Sequence, residues 1–293
     1  MKLLTFRYNN IEKIGIMDSS ERYVLPLEQF GIPCQTMNEL IKSEEYIKIL
    51  KGANYAEAKE KILYSDVIKC APIPCPNQDV ICLGINYMEH AKESAKFKNE
   101  KFDGERPYAV YFSKRVNEAV GSGVGIPAHT NITDQLDYEI ELAVVLSRDA
   151  KNVKIENAFD YVLGYTILND ISARDIQTRH KQWYFGKSLD GSTPMGPWIV
   201  TKDEVEIPPK LRISSKVNGE LRQDSSTDML IFPIDYVISE LSQGMTLKAG
   251  TIISMGTPAG VGMGMQPPAF LHIGDVVECH IEKIGTLTNT IIE

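Results

Sequence analysis

The sequence has no long hydrophobic run, no excess of positive charge and few cysteines. No apolar stretch of about 18 residues occurs in the 293-residue chain, which predicts no transmembrane helix. The net charge of −8 disfavours nucleic acid and anionic membranes as partners. A charged residue, Lys2, precedes any apolar run that could form a signal-peptide core, so we expect a cytoplasmic protein.

The cysteines and glycines do not form a recognised reactive or phosphate-binding motif. The five cysteines are odd in number, and the close pair Cys70 and Cys75 lacks the second pair that a zinc site needs. We therefore expect buried, reduced thiols. The chain contains neither the GxSxG elbow of serine hydrolases nor the GxxxxGK[ST] phosphate loop.

The first 70 residues differ in pattern from the rest of the chain. Strand-like segments at 2–8 and 11–18 flank a turn at Asn9-Asn10, and helical patterns follow at 36–50 and 55–62. A proline-rich stretch then reads as a linker. We predict a small α/β N-terminal domain with its linker over residues 1–75.

From residue 80 onward the chain is rich in strands and turns. The best helix candidate, 232–244, ends at Gly244, where we expect a left-handed glycine cap. Strands at short spacing with few crossover helices favour a mainly β core over a doubly wound parallel sheet. We therefore predict an α+β fold, mainly β, with the catalytic domain over residues 76–293.

Two apolar strand candidates carry carboxylates. In LDYEIELAVVL (136–146) the alternation of side chains places Asp137, Glu139 and Glu141 on one face, and the next apolar run ends at Asp170. Several carboxylates delivered by buried strands form an oxygen-rich site that suits Mg²⁺ or Mn²⁺. The alternative is a solvated sheet face that carries exposed acids.

Six blocks in order give the chain a recognisable pattern. It resembles the fumarylacetoacetate hydrolase family over residues 78–293. The matching blocks are GINYMEHAKE (84–93), LDYEIELAVV (136–145), GYTILNDISARDIQ (164–177), GKSLDGSTPMGPW (186–198), GTPAGVG (256–262) and FLHIGDVVECHIEKIGTLTN (270–289). The resemblance implies a roll of mixed β-strands, assembled as a homodimer, with an appended N-terminal domain.

The resemblance also implies the metal ligands, which fall on Glu139, Glu141 and Asp170. Asp137 is then a structural or supporting group. His90 and Glu93, three residues apart, would share one side of a helical turn, although an exposed charged helix explains the same spacing. In the family this pair is catalytic and lies on a mobile lid, here about 87–106.

Further site residues follow from the same resemblance. Lys187 matches a lysine that stabilises developing negative charge. Gln177, Arg174 and Thr257 match groups that bind or orient substrate, and Arg174 is also expected beside the ligand carboxylates. Family members often have proline after the lysine at position 114, whereas this chain has Arg115, which leaves the substrate end of the site open.

The implied chemistry is that of a 2-oxo acid whose carboxylate and 2-oxo oxygen bind the metal, so that an enolate is stabilised. We rank hydrolysis of a carbon–carbon bond in a 2,4-diketo (acylpyruvate-type) acid first. Oxaloacetate decarboxylation or tautomerisation, and isomerisation of a 2-hydroxyhepta-2,4-diene-1,7-dioate-type acid, follow. The non-enzymatic alternatives are a silent metal- or keto-acid-binding protein and a purely structural β-roll.

Overall fold

The computed structural model describes residues 1–97, 104 and 107–293. Of the expected lid (87–106), residues 87–97 and 104 are described. Residues 98–103 and 105–106 lie outside the described residues. The strands are β1 Lys2–Tyr8, β2 Ile11–Met17, β3 Tyr23–Pro26, β4 Ile62–Leu63, β5 Ile68–Lys69, β6 Val80–Gly84, β7 Val110–Lys114, β8 Ile126–Pro127, β9 Leu136–Asp137, β10 Ile140–Leu146, β11 Val162–Asn169, β12 Ser172–Ala173, β13 Met195–Thr201, β14 Arg212–Val217, β15 Glu220–Ser226, β16 Ile252–Ser254, β17 Val276–Ile281 and β18 Gly285–Ile292.

The helices are short and lie between these strands. They are α1 Met37–Lys42, α2 Glu44–Gly52, α3 Met88–Phe97, α4 Arg174–Arg179, α5 Tyr184–Lys187 and α6 Ile234–Gly244. Single turns of 3-10 helix cover Leu27–Phe30, Tyr55–Glu57, Tyr64–Asp66, Lys202–Glu204, Thr227–Met229 and Gly262–Gly264, and a longer one covers Ile155–Tyr161. None of the helices in the described part of the chain has the length and hydropathy needed to cross a bilayer.

One large mixed sheet runs through both halves of the chain. Its order is β4-β3-β2-β1-β13-β11-β10-β16-β6-β7, with β5 also paired to β1. Most pairs are antiparallel, but β16 and β6 run parallel. A second sheet has the order β15-β14-β17-β18-β8. The prediction of an α+β, mainly β fold with mixed strands is confirmed.

The N-terminal segment is joined to the rest of the protein by this sheet. Strand β1 pairs with β13, with Lys2 opposite Val200 and Leu3 opposite Ile199. The boundary at residue 75 stays a prediction, but the two segments share one continuous ladder. Leu3 therefore packs in the same hydrophobic cluster as residues of the catalytic segment.

The N-terminal hairpin has the predicted form, and one predicted helix does not. Asn9 and Asn10 both adopt positive φ, as a tight two-residue turn requires. The predicted helix 36–50 forms as α1 and α2, separated where the Ser43 side chain caps α2. The predicted helix 55–62 is wrong beyond its first turn, because Ile62 instead pairs with Val24 in the sheet.

The predicted strand 136–146 is broken between Asp137 and Ile140. Strand β9 pairs with β12 in a small separate sheet, and β10 begins only at Ile140. Between them the Tyr138 N–H donates to its neighbour Asp137. The Glu139 N–H donates to the Asn169 side chain instead of a ladder carbonyl. The continuous strand predicted over 136–146 is therefore wrong, although Asp137 and Glu139 still contact the same Arg174 side chain.

The main C-terminal helix has the predicted end but not the predicted cap. Helix α6 ends at Gly244. The following residue, Met245, has φ −130° and ψ 158°, and Gly244 is not among the residues with positive φ. The chain therefore leaves the helix in an extended conformation, and a left-handed glycine is not needed there.

Candidate metal centre and active site

Two neighbouring strands bring three carboxylates together. Strands β10 and β11 are antiparallel, so the start of one meets the end of the other. Glu139 and Glu141 lie at the start of β10, and Asp170 follows β11, with its N–H donating to the Glu139 carbonyl at 2.8 Å. One oxygen of each carboxylate lies within 4.8 Å of the others, and all three residues are buried. We call this set the carboxylate triad.

Three buried cations contact the triad. Lys187 Nζ donates to Glu139 Oε2 and to Asp170 Oδ2, each at 2.6 Å. Lys114 Nζ donates to Asp170 Oδ1 at 2.6 Å, and the Arg174 guanidinium lies 2.6 Å from Glu139 Oε1. The cluster is therefore a closely packed network of buried ions, in which removing one charge would leave its partner buried without compensation.

The third triad member lacks such a cation. Among the described residues, Glu141 has no ion-pair partner, and its Oε2 accepts from the Ser254 hydroxyl and the Gly256 N–H. Burial, followed by the charges of Asp170 and Glu139, raises the pKa of Glu141 to about 8. Burial alone would also raise the pKa of Glu139, but Arg174 and Lys187 outweigh it and hold that pKa below its ordinary value.

These residues fit a hard divalent cation. Three convergent carboxylates offer the oxygen ligands that Mg²⁺ and Mn²⁺ prefer. Glu141 has no ion-pair partner among the described residues and its pKa is raised, chiefly by burial, so positive charge beside it would stabilise its carboxylate form. A dication would supply that charge, and a solvated sheet face would not produce such burial.

A histidine–carboxylate pair lies on α3. His90 Nδ1 lies 3.0 Å from Glu93 Oε2, and His90 is buried. Because a carboxylate accepts, Nδ1 carries the hydrogen and Nε2 is left as the proton acceptor of the ring. The other Glu93 oxygen accepts from the Gly260 N–H at 3.0 Å. The spacing in the sequence therefore produces a fixed pair and not an exposed charged helix.

One cleft collects most of the residues predicted for the site. Seven of the nine line it, and the other two, Asp170 and Glu93, contact the lining residues Lys187 and His90. The seven are His90, Glu139, Glu141, Arg174, Gln177, Lys187 and Thr257. Apolar side chains from β6 and β7 and from the segment before α5 form the remaining wall, including Leu83, Phe112 and Trp183.

The apolar wall is tightly packed at one glycine. The Trp183 ring lies so close to Gly84 that an added Cβ would overlap it. Phe112 meets Trp183 edge to face, with ring centroids 5.2 Å apart. The Lys187 ammonium lies 5.2 Å from the centre of the Phe112 ring. The wall therefore borders the charged end of the cleft directly.

Several residues of the site were not assigned a role from the sequence. Lys114 was noted only as the residue before Arg115, yet it is fully buried against Asp170. Gln223 lies on a half-exposed hairpin, yet it is buried and donates to Thr257 Oγ1 at 2.7 Å. For Lys114 the signal was its place directly after the apolar run YAVYFS; for Gln223 the sequence contains no such signal.

The comparisons agree with this geometry. Residues 79–292 match the family described as fumarylacetoacetate (FAA) hydrolase C-terminal. The chain belongs to the fumarylacetoacetate hydrolase family. It is 48% identical to oxaloacetate tautomerase YisK of Bacillus subtilis, over 96% of this chain and 93% of that protein.

Solved structures of the family resemble most or all of the chain. The fumarylacetoacetate hydrolase EaFAH of Exiguobacterium antarcticum is 37% identical with a TM-score of 0.82, covering 100% of this chain and 99% of that one. The fumarylpyruvate hydrolase of Pseudomonas aeruginosa is 27% identical with a TM-score of 0.65, covering 80% and 93%. That enzyme was solved in complex with Mn²⁺ and pyruvate. Family membership makes this chain an enzyme with a small-molecule substrate.

Proposed function

We propose that the chain is a divalent-metal-dependent enzyme that moves a proton next to the keto group of a small 2-oxo diacid, as an oxaloacetate tautomerase does. The observation that carries the proposal is that one cleft is lined by Glu139 and Glu141 of the triad, by Lys187 and by His90, with Asp170 bonded to Lys187 and Glu93 to His90. A relative 48% identical over nearly the full length of both chains is a tautomerase, which supports this reaction. We therefore rank tautomerisation ahead of carbon–carbon hydrolysis, whereas the sequence analysis ranked hydrolysis first.

Glu139, Glu141 and Asp170 would hold the ion, with Mg²⁺ and Mn²⁺ as the candidates. When bound, the ion withdraws electrons from the 2-oxo group and the adjacent carboxylate and so acidifies the neighbouring carbon. Lys187, which touches two of the three ligands, opposes the negative charge that develops on the substrate oxygen. Burial disfavours its ammonium form, but Asp170 and Glu139 outweigh this and raise the pKa of Lys187, so it stays charged.

His90 is the proposed proton carrier. Its Nε2 can accept a proton from the substrate carbon and return one to the enol oxygen or to carbon. Glu93 holds the Nδ1 side of the ring and stabilises the imidazolium form during the transfer. Both directions of a tautomerisation use the same pair, so no second acid is needed.

Three polar groups are available to bind substrate oxygens. Arg174 Nη2 is buried without a hydrogen-bond partner among the described residues, and an unpaired buried donor is costly unless a ligand accepts from it. Gln177 Oε1 accepts from Arg174, which leaves its amide N–H groups to donate. Thr257 Oγ1 accepts from Gln223, which leaves its hydroxyl hydrogen free. These donors suit the carboxylates of a diacid.

Carbon–carbon hydrolysis is the second candidate. It is supported by the same histidine–carboxylate pair, which could activate water, and by the fold shared with fumarylpyruvate hydrolase. Decarboxylation and isomerisation of a dienedioate need the same site and follow it. The expectations of a cytoplasmic homodimer without a nucleic-acid partner stay predictions, and light scattering after gel filtration would test the dimer.

A turnover panel with Mg²⁺ or Mn²⁺ tests the proposal. The panel compares enol–keto conversion of oxaloacetate, followed by ultraviolet absorbance, with pyruvate release from oxaloacetate, acetylpyruvate and fumarylpyruvate. We expect metal-dependent tautomerisation with the highest kcat/KM. Faster cleavage of an acylpyruvate would put hydrolysis first, and no turnover of any 2-oxo acid would contradict both candidates.

A further inference from the structure

Asp137 is a buried carboxylate that is not part of the carboxylate triad. It is fully buried at the end of β9. It accepts four hydrogen bonds, from the N–H groups of Tyr138, Gly262 and Met263 and from the Arg174 side chain. A buried charge is costly even when it is well paired, so its presence calls for a role beyond packing.

On one side Asp137 is linked to the triad through a single guanidinium. Arg174 Nε donates to Asp137 Oδ2 at 2.9 Å, while Arg174 Nη1 lies 2.6 Å from Glu139 Oε1. The guanidinium is planar and its donors are fixed relative to one another. The position of Asp137 therefore determines the orientation of the Arg174 guanidinium against Glu139.

On the other side Asp137 holds the glycine segment 260–264. Its Oδ1 accepts from the Gly262 N–H at 2.7 Å and its Oδ2 from the Met263 N–H at 3.0 Å. Two charge-assisted bonds to successive backbone N–H groups fix the path of this segment. The Tyr138 hydroxyl adds a further bond to the Gly260 carbonyl at 2.9 Å.

The glycine segment in turn holds the helix that carries His90. The Gly260 N–H donates to Glu93 Oε1, and the Glu93 carboxylate packs so closely on Gly264 that an added Cβ would overlap it. The remaining Glu93 oxygen meets His90 Nδ1. These contacts connect Glu139 to His90 without a break, although the two residues are far apart in the sequence.

We propose that Asp137 is a positioning residue that sets the His90–Glu93 pair in register with the carboxylate triad. It acts through Arg174 on the side of the triad and through residues 260–264 on the side of α3. The assignment of catalytic roles at the two ends rests on the proposed function, but the mechanical link does not. The link can therefore be tested on protein without metal or substrate.

The test is the variant Asp137→Asn, followed by hydrogen exchange of α3 and of 260–264 in the metal-free protein. Asparagine has nearly the same shape, but one of its two terminal atoms is an NH₂ group, which donates. That group would face a donor, either the backbone N–H groups of 262 and 263 or the Arg174 guanidinium, so part of the link is lost. We expect faster exchange in both segments. With metal and substrate, we expect kcat to fall by about 10–100-fold, the range typical of groups that orient ligands, with a smaller change in KM.

Two further variants make the result decisive. Gly264→Ala displaces Glu93 from the far end of the chain of contacts and should speed exchange of α3 while Mn²⁺ affinity, measured by calorimetry, stays as in wild type. Asp175→Asn is the matched control, since this acid on the same helix as Arg174 contacts Thr133 and not the chain of contacts. Its exchange and turnover should equal wild type.

Wild-type exchange of α3 and of residues 260–264 in Asp137→Asn would overturn the proposal. If Asp137→Asn fails to fold, Gly264→Ala tests the far end of the link, and wild-type exchange of α3 there would show that the glycine segment does not hold Glu93, which would also overturn the proposal. If wild type shows no metal-dependent turnover, the proposed function fails while faster exchange in the two variants still supports the link.

Discussion

The ammonium group of Lys187 lies 2.6 Å from Glu139 Oε2, so a cation already stands against one of the proposed metal ligands. Replacing it with methionine keeps a long, unbranched side chain, one heavy atom shorter, and removes the charge. We expect Lys187→Met to lower kcat by about 10²–10³-fold, as removal of one group that stabilises a developing oxyanion does. Metal affinity should not fall, because a competing positive charge has been removed.

Steady-state kinetics and calorimetry with Mn²⁺ check this prediction. Lys248→Met serves as the control, since Lys248 pairs with Asp149 at the exposed surface. Unchanged kcat in Lys187→Met would remove the lysine from the mechanism. Loss of metal binding would instead make it part of the metal site.

The His90–Glu93 pair should act on the chemistry and not on the metal. We expect His90→Ala to lower kcat by about 10²–10⁴-fold, the usual contribution of a positioned acid–base group. Glu93→Gln keeps the shape of the side chain but weakens its hold on Nδ1, so a smaller loss is expected. His272→Ala, at an exposed position, is the control for both variants.

Retained Mn²⁺ binding together with slow turnover is the expected result for His90→Ala. Turnover at the wild-type rate would exclude His90 as the proton carrier. A loss of Mn²⁺ binding would mean that His90 acts as a ligand, which the triad geometry does not require.

The packing of Trp183 on Gly84 should control which substrate tails enter. Gly84→Ala places a methyl group where the ring now lies, so the apolar wall must shift. We expect the ratio of kcat/KM between a short and a long 2-oxo acid to change by about 10-fold or more, as one methylene in a pocket can. Gly52→Ala, where an added Cβ meets open space, is the matched control.

Kinetics on oxaloacetate, acetylpyruvate and fumarylpyruvate measure this ratio for wild type and both variants. Equal relative rates in wild type and Gly84→Ala would show that the wall does not select the tail. Mn²⁺ affinity should be the same in all three proteins, because the substitution does not touch the triad.

The N-terminal segment should unfold together with the catalytic segment. Leu3 is fully buried, and removal of a buried leucine side chain costs about 2–5 kcal/mol. Both tryptophans, Trp183 and Trp198, lie outside the N-terminal segment. Trp198 also contacts Lys2 and Tyr64 of the N-terminal segment, whereas Trp183 lies in the wall of the cleft. Their fluorescence therefore follows the catalytic segment and its contact with the N-terminal segment, and Leu3→Ala should lower one shared midpoint of urea unfolding.

Ile11→Ala is the control in the same hairpin, since Ile11 is 59% exposed and its loss should matter little. A tryptophan transition that keeps its midpoint in Leu3→Ala would mean that the N-terminal segment unfolds independently. The sequence-based boundary at residue 75 would then mark a separate folding unit.

Local pattern drew attention to the acids and to the histidine pair, and the family blocks made them site candidates. One apolar strand candidate carries Glu139 and Glu141 near its start and the next ends at Asp170, while helical spacing pairs His90 with Glu93; the patterns alone left exposed acids and an exposed helix as alternatives. These signals are short-range, because each depends on residues only a few positions apart.

Contacts between residues that are far apart in the chain could not be predicted from local sequence pattern. The strand expected over 136–146 breaks because Asp137 bonds to Gly262 and Met263, more than a hundred residues away. Lys114 is buried only because Asp170 lies opposite it. Ile62 leaves its expected helix to pair with Val24. In each case a distant partner overrode local propensity.

We propose that Glu139, Glu141 and Asp170 bind one divalent ion, and every catalytic role assigned above depends on that ion. Calorimetric titration of metal-stripped protein with Mn²⁺ measures the binding in wild type and in the triple variant Glu139→Gln, Glu141→Gln, Asp170→Asn, with circular dichroism to show that the variant is folded. We expect one ion per wild-type chain and none in the variant. Equal binding by both proteins, or no binding by wild type, would show that these three residues are not the metal ligands.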